Sequence, residues 1–85
     1  MKTVTRIRRF AIQLTDERSR DPLADGLLDS LAIEQLISFL EQQFALELAD
    51  EDLVAANFTS VDRVAALVEM KRRPPLEARS THRHP

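Results

Sequence analysis

Apolar residues recur at helical spacing in three stretches of the chain, and each stretch predicts an amphipathic helix. The three stripes are Val4, Ile7, Ala11 and Leu14; Ile33, Leu36, Ile37, Leu40 and Phe44; and Val61, Val64, Ala65 and Val68. The first helix is expected over roughly residues 3–16. The second begins at Asp29 or Ser30, since either residue is a good N-cap. The third opens at Thr59, with Asp62 completing a capping-box-like pair, and stops before Pro74.

The segments between these stripes carry their own signals. Residues 17–29 read as a loop, because Pro22 interrupts the helical pattern and Gly26 favours a turn. Three acids at 50–52 precede an apolar run, which favours a short helical turn at 51–56. On the second helix, Ala32 is assigned to the outer half, while Phe39 lies at the edge of the stripe.

Together these elements predict an all-α fold. It is a small four-helix bundle with a short third helix and a long structured loop between helices one and two. The folded domain is expected to span residues 1–73. Residues 74–85 are rich in Pro, Arg and His, bury little, and are expected to form a disordered tail.

Composition removes several classes of function. The chain has 85 residues, one glycine and no cysteine. A Gly-rich phosphate loop, a disulfide framework, a Cys–zinc site and a thiol nucleophile are therefore excluded. The two histidines, His82 and His84, lie in the predicted tail, where a solvated segment is favoured over a metal site. No apolar run is long enough to span a bilayer, so we expect a cytoplasmic protein. We do not expect an enzyme, because so small a domain has a thin core and the chain offers neither a base nor a metal site.

Charge is unevenly distributed along the chain. The formal net charge is −2, yet residues 21–52 contain nine acids and no Lys or Arg. Such a surface repels nucleic acid and attracts basic partners. The basic residues lie towards the two ends, for example Arg6, Arg8 and Arg9 in the first predicted helix.

Ser30 is the best candidate for chemistry. It follows a carboxylate, Asp29, at the start of the second predicted helix. No histidine or lysine lies near it in sequence, so it is a poor nucleophile. A helix N-terminus does favour an anion, which makes Ser30 a better acceptor of a phosphate-linked group than an attacking group. The competing interpretation is that Ser30 is only a helix cap.

The wider pattern resembles the acyl carrier protein family over roughly residues 4–71. The resemblance is carried by Asp29-Ser30-Leu31, the stripe ending at Phe44, the acidic segment 46–52, and Phe58-Thr59-Ser60-Val61. It implies a four-helix fold in which a 4′-phosphopantetheine from coenzyme A is esterified to Ser30 by a phosphopantetheinyl transferase. The arm would carry an acyl or aminoacyl group as a thioester. By the same resemblance, Asp29 orients the modifying enzyme or its metal, and Leu31 packs beside the arm and contacts that enzyme.

The resemblance also implies a face that partner enzymes read. Its residues are Glu34, Gln35, Ser38, Glu41, Gln42, Asp50, Glu51 and Asp52. Glutamines dilute the charge of this face relative to fatty-acid carriers. The Leu-Leu-Asp-Ser form looks closer to stand-alone carriers loaded by a separate acyl or aminoacyl ligase. We therefore expect a monomeric carrier in a specialised biosynthetic pathway, serving downstream acyl-transferring enzymes, without nucleic-acid or membrane partners.

Two other functions compete with the carrier. An unmodified helical adaptor would use the acidic segment 21–52 to bind a basic protein and would need no chemistry at Ser30. A small DNA-binding domain is suggested by the basic ends but disfavoured by the acidic middle. The substitution Ser30→Ala separates carrier from adaptor, because the adaptor would lose only helix-cap stability.

Overall fold

The computed structural model describes residues 2–72, which are all-helical and contain no strand. The α-helices are α1 (Thr3–Gln13), α2 (Ser30–Phe44) and α3 (Val61–Arg72), and two 3₁₀ turns span Asp50–Asp52 and Ala55–Phe58. The predicted all-α class is confirmed for this range. The predicted tail, residues 74–85, lies outside the described residues.

The core lies where the three helices meet. Its buried apolar residues are Ile7, Ala11, Leu23, Ala32, Leu36, Leu40, Phe44, Val61, Val64, Leu67 and Val68. The predicted stripes supply most of this set. The placement of Ala32 on the outer half of α2 was wrong, because Ala32 is four residues before Leu36 and shares its buried face. Phe39 is half-buried and packs against the core.

Helix α1 ends at Gln13, three residues earlier than predicted. The N–H of Leu14 donates to the carbonyl of Ala11 at 3.0 Å, which tightens the last turn. The hydroxyl of Thr15 then accepts the N–H of Glu17 at 3.2 Å. Such a local side-chain bond competes with helix continuation, and this explains the early end.

A carboxylate attaches the connection between α1 and α2 to the start of α3. The N–H of Val61 donates to both carboxylate oxygens of Asp21 at 3.1 Å, and the N–H of Ala24 donates to one of them at 3.0 Å. Leu23 is buried beside this contact. The predicted turn at Gly26 is confirmed by its positive φ of 68°.

Between α2 and α3, two 3₁₀ turns replace the single short helix predicted at 51–56, so a four-helix bundle is not confirmed. Asp52 explains the interruption. Its carboxylate accepts the N–H of Ala49 at 2.8 Å, and its carbonyl accepts a hydrogen bond from the Asn57 side chain at 2.8 Å. Leu53 and Val54 then leave helical geometry, with ψ angles of 52° and 150°. A short Asp-rich segment thus satisfies its backbone through side chains instead of a helix.

Helix α3 begins at Val61, two residues after the predicted opening at Thr59. The hydroxyl of Ser60 accepts the N–H of Arg63 at 3.1 Å, as an N-cap side chain does. The hydroxyl of Thr59 instead donates to the carbonyl of Ala56 at 3.3 Å. The capping function therefore lies with Ser60, and the Thr59–Asp62 pairing was wrong.

Candidate functional site

Ser30 is the first residue of α2, and Asp29 is its N-cap. The carboxylate of Asp29 accepts the N–H of Ala32 at 2.8 Å, and its carbonyl accepts the N–H of Ile33 at 2.9 Å. The cap is therefore Asp29, which resolves the choice that the sequence left open. The interpretation of Ser30 as a simple helix cap loses its main support.

The Ser30 side chain is exposed at the positive end of a 15-residue helix. The backbone N–H groups of the first turn and the helix dipole favour an anion at this place. With the capping bond made by Asp29, the Ser30 hydroxyl is accessible for attachment of a phosphate-linked group. Its neighbour Leu31 is also exposed, at 63%, which is unusual for a leucine at the start of an amphipathic helix.

An apolar groove of about 420 Å³ opens beside Ser30. Ser30, Ile33 and Ile37 of α2 line it, together with the N-cap residue Asp29. The other lining residues come from the segment between α2 and α3, which supplies Leu53, Val54, Ala55 and Phe58, and from the connection before α2, which supplies Leu28. An extended aliphatic or amide-containing chain attached at Ser30 could therefore shelter its apolar parts from water.

The segment after the first 3₁₀ turn presents apolar side chains to solvent. Leu53 is 39% exposed and Val54 is 46% exposed, and both line the groove. Leu31, next to Ser30 in the chain, adds a third exposed apolar side chain. Exposed apolar patches of this kind mark ligand grooves or protein contact sites.

The predicted partner face is only partly brought together. Glu34, Gln35, Ser38, Gln42, Asp50 and Glu51 are exposed, as that face requires. Glu41 is half-buried, and its carboxylate accepts the N–H of Leu48 at 3.0 Å, which ties the chain leaving α2 back to the helix. The Glu41 carboxylate therefore makes an internal hydrogen bond and is less accessible to a partner than the exposed acids.

Asp52 does not belong to an exposed acidic face. It is 7% exposed, and its carboxylate lies 2.8 Å from the Nζ of Lys71. The hydrogen bond from Lys71, helped by the N–H of Ala49, holds the pKa of Asp52 below its usual value. The same bond raises the pKa of Lys71. This ion pair joins the end of α3 to the first 3₁₀ turn, a contact that no local sequence pattern indicates.

The sequence also missed the groove itself. The short helix predicted at 51–56 includes Leu53 and Val54, whereas the structure places both in an irregular segment that lines the groove together with Phe58. The available signal was an apolar Leu-Val pair between an acidic turn and a second turn. The Leu-Val pair indicates an apolar surface on this segment, but it does not indicate that α2 lies opposite that surface and forms a groove with it.

Across residues 2–72, no three His, Cys, Asp or Glu side chains lie together in a way that could hold a metal ion. In the same range, every helix is too short or too polar to cross a membrane.

Comparison with known proteins assigns the chain to no family. No protein-family model matches it, and neither a curated protein nor a solved structure does so. The geometry around Ser30 therefore carries the functional argument.

Proposed function

We propose that this chain is a carrier protein, of acyl carrier type in fold and function, that is modified on Ser30 with 4′-phosphopantetheine from coenzyme A. The observation that carries the proposal is the placement of Ser30. Ser30 is exposed on the first turn of α2 and lines an apolar groove, while Asp29 makes the capping bond.

The residues present fit the group. A phosphodiester at Ser30 would lie at a helix N-terminus, where backbone N–H groups and the dipole favour negative charge. The groove bounded by Ile33, Ile37 and Val54 offers apolar cover to whatever the arm carries. When attached, the arm supplies a terminal thiol that holds an acyl or aminoacyl group as a thioester. The chain has no cysteine of its own that could compete for that group.

The neighbours of Ser30 have distinct tasks in this proposal. Asp29 fixes the start of α2 and presents a carboxylate next to the modified hydroxyl, which orients the phosphopantetheinyl transferase or its metal. Leu31, exposed at 63%, contacts that enzyme and packs beside the arm. The chain itself makes and breaks no bond of the cargo, so it is not an enzyme.

Partner enzymes would approach the same end of the molecule. Exposed Glu34, Asp50 and Glu51 supply negative charge around the Ser30 groove, and Gln35, Ser38 and Gln42 supply hydrogen-bonding groups. These suit basic surfaces on a transferase, on an acyl or aminoacyl ligase, and on the acyl-transferring enzymes that follow. We place this monomeric carrier in the cytoplasm, in a specialised biosynthetic pathway.

Intact-mass measurement tests the proposal. Purified apo protein is incubated with coenzyme A, Mg²⁺ and a broad-specificity phosphopantetheinyl transferase. We expect a gain of one phosphopantetheine, absent in Ser30→Ala. Thr59→Ala is the control, because Thr59 carries an exposed hydroxyl outside the proposed partner face, and it should be modified like the parent. Failure of the folded parent chain to gain mass would refute the carrier function.

An unmodified acidic adaptor is the second candidate, and exposed Asp50 and Glu51 favour it. The burial of Asp52 against Lys71 weakens it by removing one acid from the surface. The adaptor requires Ser30→Ala to keep full function in the host, provided that the variant is folded by circular dichroism. The carrier requires that variant to lose function completely.

A further inference from the structure

A second groove, of about 340 Å³, lies between α1 and α2, away from Ser30. It is lined by Arg6, Arg9, Phe10, Gln13, Phe39 and Gln43, and we call it the cationic groove. Phe39 and Gln43 lie 9 and 13 residues beyond Ser30 on α2. At 1.5 Å per residue, that places them roughly 14–20 Å along the helix from the proposed attachment site. The carrier function makes no use of this groove.

Stacked aromatic rings form the apolar part of the cationic groove. The rings of Phe10 and Phe39 are stacked, with centroids 4.1 Å apart and an interplanar angle of 9°. The ring of Phe39 meets that of Phe44 edge-on at 6.3 Å. The rings therefore hold one another in place and present a preformed surface to an incoming apolar side chain.

A guanidinium is held at the rim of this surface. The Cζ of Arg6 lies 4.6 Å from the centroid of Phe44, and its Nη2 donates to the Oε1 of Gln43 at 3.0 Å. A guanidinium has five N–H donors, and the bond to Gln43 uses one of them. Its planar fork suits a carboxylate, and prior orientation by Phe44 and Gln43 lowers the entropic cost of binding one.

The groove is positive, in contrast to the acidic segment 21–52. Its six lining residues include two arginines and no acid, and α1 as a whole contains no acid. By contrast, residues 21–52 contain nine acids and no Lys or Arg. An anionic partner is therefore attracted to α1 and repelled by the Ser30 end, so the charge distribution also fixes the orientation of binding.

We propose that the cationic groove binds a carboxylate-rich segment of a partner protein, with an aromatic or aliphatic side chain of that segment lying on the Phe10–Phe39 pair. A carboxylate binds the Arg6 guanidinium, the positive charge of Arg9 adds to the attraction, and the apolar side chain covers the rings. Nucleic acid fits less well, because a duplex would bring further phosphates towards the acidic segment. Such a contact would hold the chain on a partner while Ser30 stays accessible.

The test uses the full chain, labelled with ¹⁵N, and a short peptide of glutamates interrupted by one phenylalanine and one leucine. We expect amide shifts at α1 and at the C-terminal half of α2, and weaker binding as salt is raised. The same peptide with glutamine in place of glutamate should not bind. Absence of shifts with the acidic peptide would overturn the proposal, and so would equal binding of the glutamine peptide.

Two substitutions that add the same charge locate the site. Gln13→Glu puts a carboxylate at the exposed rim of the groove, and should weaken peptide binding by about threefold or more. Ala66→Glu is the control, because it adds the same charge at an exposed residue of α3 outside this groove, and it should leave peptide binding within the error of the titration. If both variants weaken peptide binding equally, the effect comes from the net charge of the chain and not from the groove, and the proposal is overturned.

Two further measurements exclude other occupants. A short DNA duplex that shifts the same amides more strongly than the peptide at equal salt would assign the groove to nucleic acid and overturn the proposal. If amide shifts at α1 appear when the chain alone is concentrated, the cationic groove binds a second copy of the chain, and the proposal is overturned. Mass gain at Ser30 should be the same in Gln13→Glu as in the parent, so failure of one proposal is distinguishable from failure of the other.

Discussion

The two ends of α2 present opposite chemistry. At its N-terminus, the Ser30 groove is apolar, and the described residues that line it include the carboxylate of Asp29 and no cation. Towards its C-terminus, the cationic groove combines stacked rings with two arginines and contains no acid. Both charges match the dipole of α2, since anions are stabilised at a helix N-terminus and cations at a C-terminus. Because α2 has no basic residue in its own last turn, α1 supplies the cation there through Arg6.

The grooves also differ in how they are built. The cationic groove has two helices as its sides, so packed rings determine its shape. The Ser30 groove has one helix and the irregular segment that contains Leu53 and Val54. A wall made of short turns adapts more readily to different contents than a wall made of helix. This contrast predicts that packing changes damage the cationic groove first, and that changes at the helix start damage the Ser30 groove first.

Leu40→Ala should have the largest effect on stability, because it removes packing from the core that supports both grooves. Leu40 is fully buried on α2, in the core cluster against which Ile33 of the Ser30 groove and Phe39 of the cationic groove both pack. The cavity should cost about 2–5 kcal/mol of unfolding free energy, measured by urea denaturation. Met70→Ala is the control, since Met70 is 59% exposed, and it should change stability by about 0.5 kcal/mol or less. A stable Leu40→Ala variant that loses only one activity would contradict a shared core.

Phe39→Ala should damage the cationic groove alone. Removing the half-buried ring deletes the stack with Phe10 and should cost about 2 kcal/mol, below the range for a fully buried phenylalanine. Binding of the acidic peptide should be lost, while modification of Ser30 persists in the folded fraction. Phe39→Leu keeps apolar volume without a ring, and peptide binding that survives in it would show that ring stacking is not required.

Asp29 substitutions should affect the Ser30 end alone. Asp29→Ala removes the side chain that caps α2 and should cost about 0.5–2 kcal/mol. Asp29→Ser keeps a capping oxygen and should recover most of that stability. If the carboxylate has the proposed role beside Ser30, modification should be slow in both variants. Normal rates of phosphopantetheine transfer in Asp29→Ser would limit Asp29 to capping.

Ala45→Gly should raise stability at the other end of α2. Ala45 ends the helix with φ 52° and ψ 52°, a left-handed conformation that costs an alanine about 1 kcal/mol. Glycine adopts it without that cost, so the unfolding free energy should rise by up to about 1 kcal/mol. Ala49→Gly is the control at an extended residue with φ −83°, and it should lower stability. A decrease in both variants would contradict the left-handed geometry at Ala45.

The smallest expected effect is the pH dependence of the Asp52–Lys71 pair, which joins the wall of the Ser30 groove to the end of α3. The pKa of Asp52 is lowered, so its stabilisation is complete above the unfolded value of about 3.9 and is lost as pH falls through the folded value. The pKa of Lys71 is raised, so its stabilisation is complete below about 10.4 and is lost as pH rises through the folded value.

Urea denaturation at several pH values measures this pair. The stability difference between the parent chain and Asp52→Asn should be greatest between about pH 5 and 9, and should shrink towards both extremes. Asp50→Asn removes an exposed acid from the same turn and is the matched control. A parent–Asp52→Asn difference that stays constant across the whole range would mean that the ion pair does not contribute to stability.

Local patterns predicted the elements well where one face of a helix is buried. The stripes of α2 and α3 identified Leu36, Leu40, Val64 and Val68 correctly, because apolar spacing alone decides such a face. Helix ends were predicted less well. Thr15 and Ser60 decided two of them through single hydrogen bonds, and several nearby residues could have made equivalent bonds.

The sequence by itself determined the all-helical class, the main buried faces, the turn at Gly26 and Ser30 as the residue at the start of the second helix. These depend on residues close together in the chain, where spacing and conformational preference suffice. Only the tertiary structure decided that Asp52 pairs with Lys71, that Asp21 holds the start of α3, and that two grooves of opposite character lie along α2. Those features join residues far apart in the chain, and they follow from helix packing, which a one-dimensional pattern does not contain.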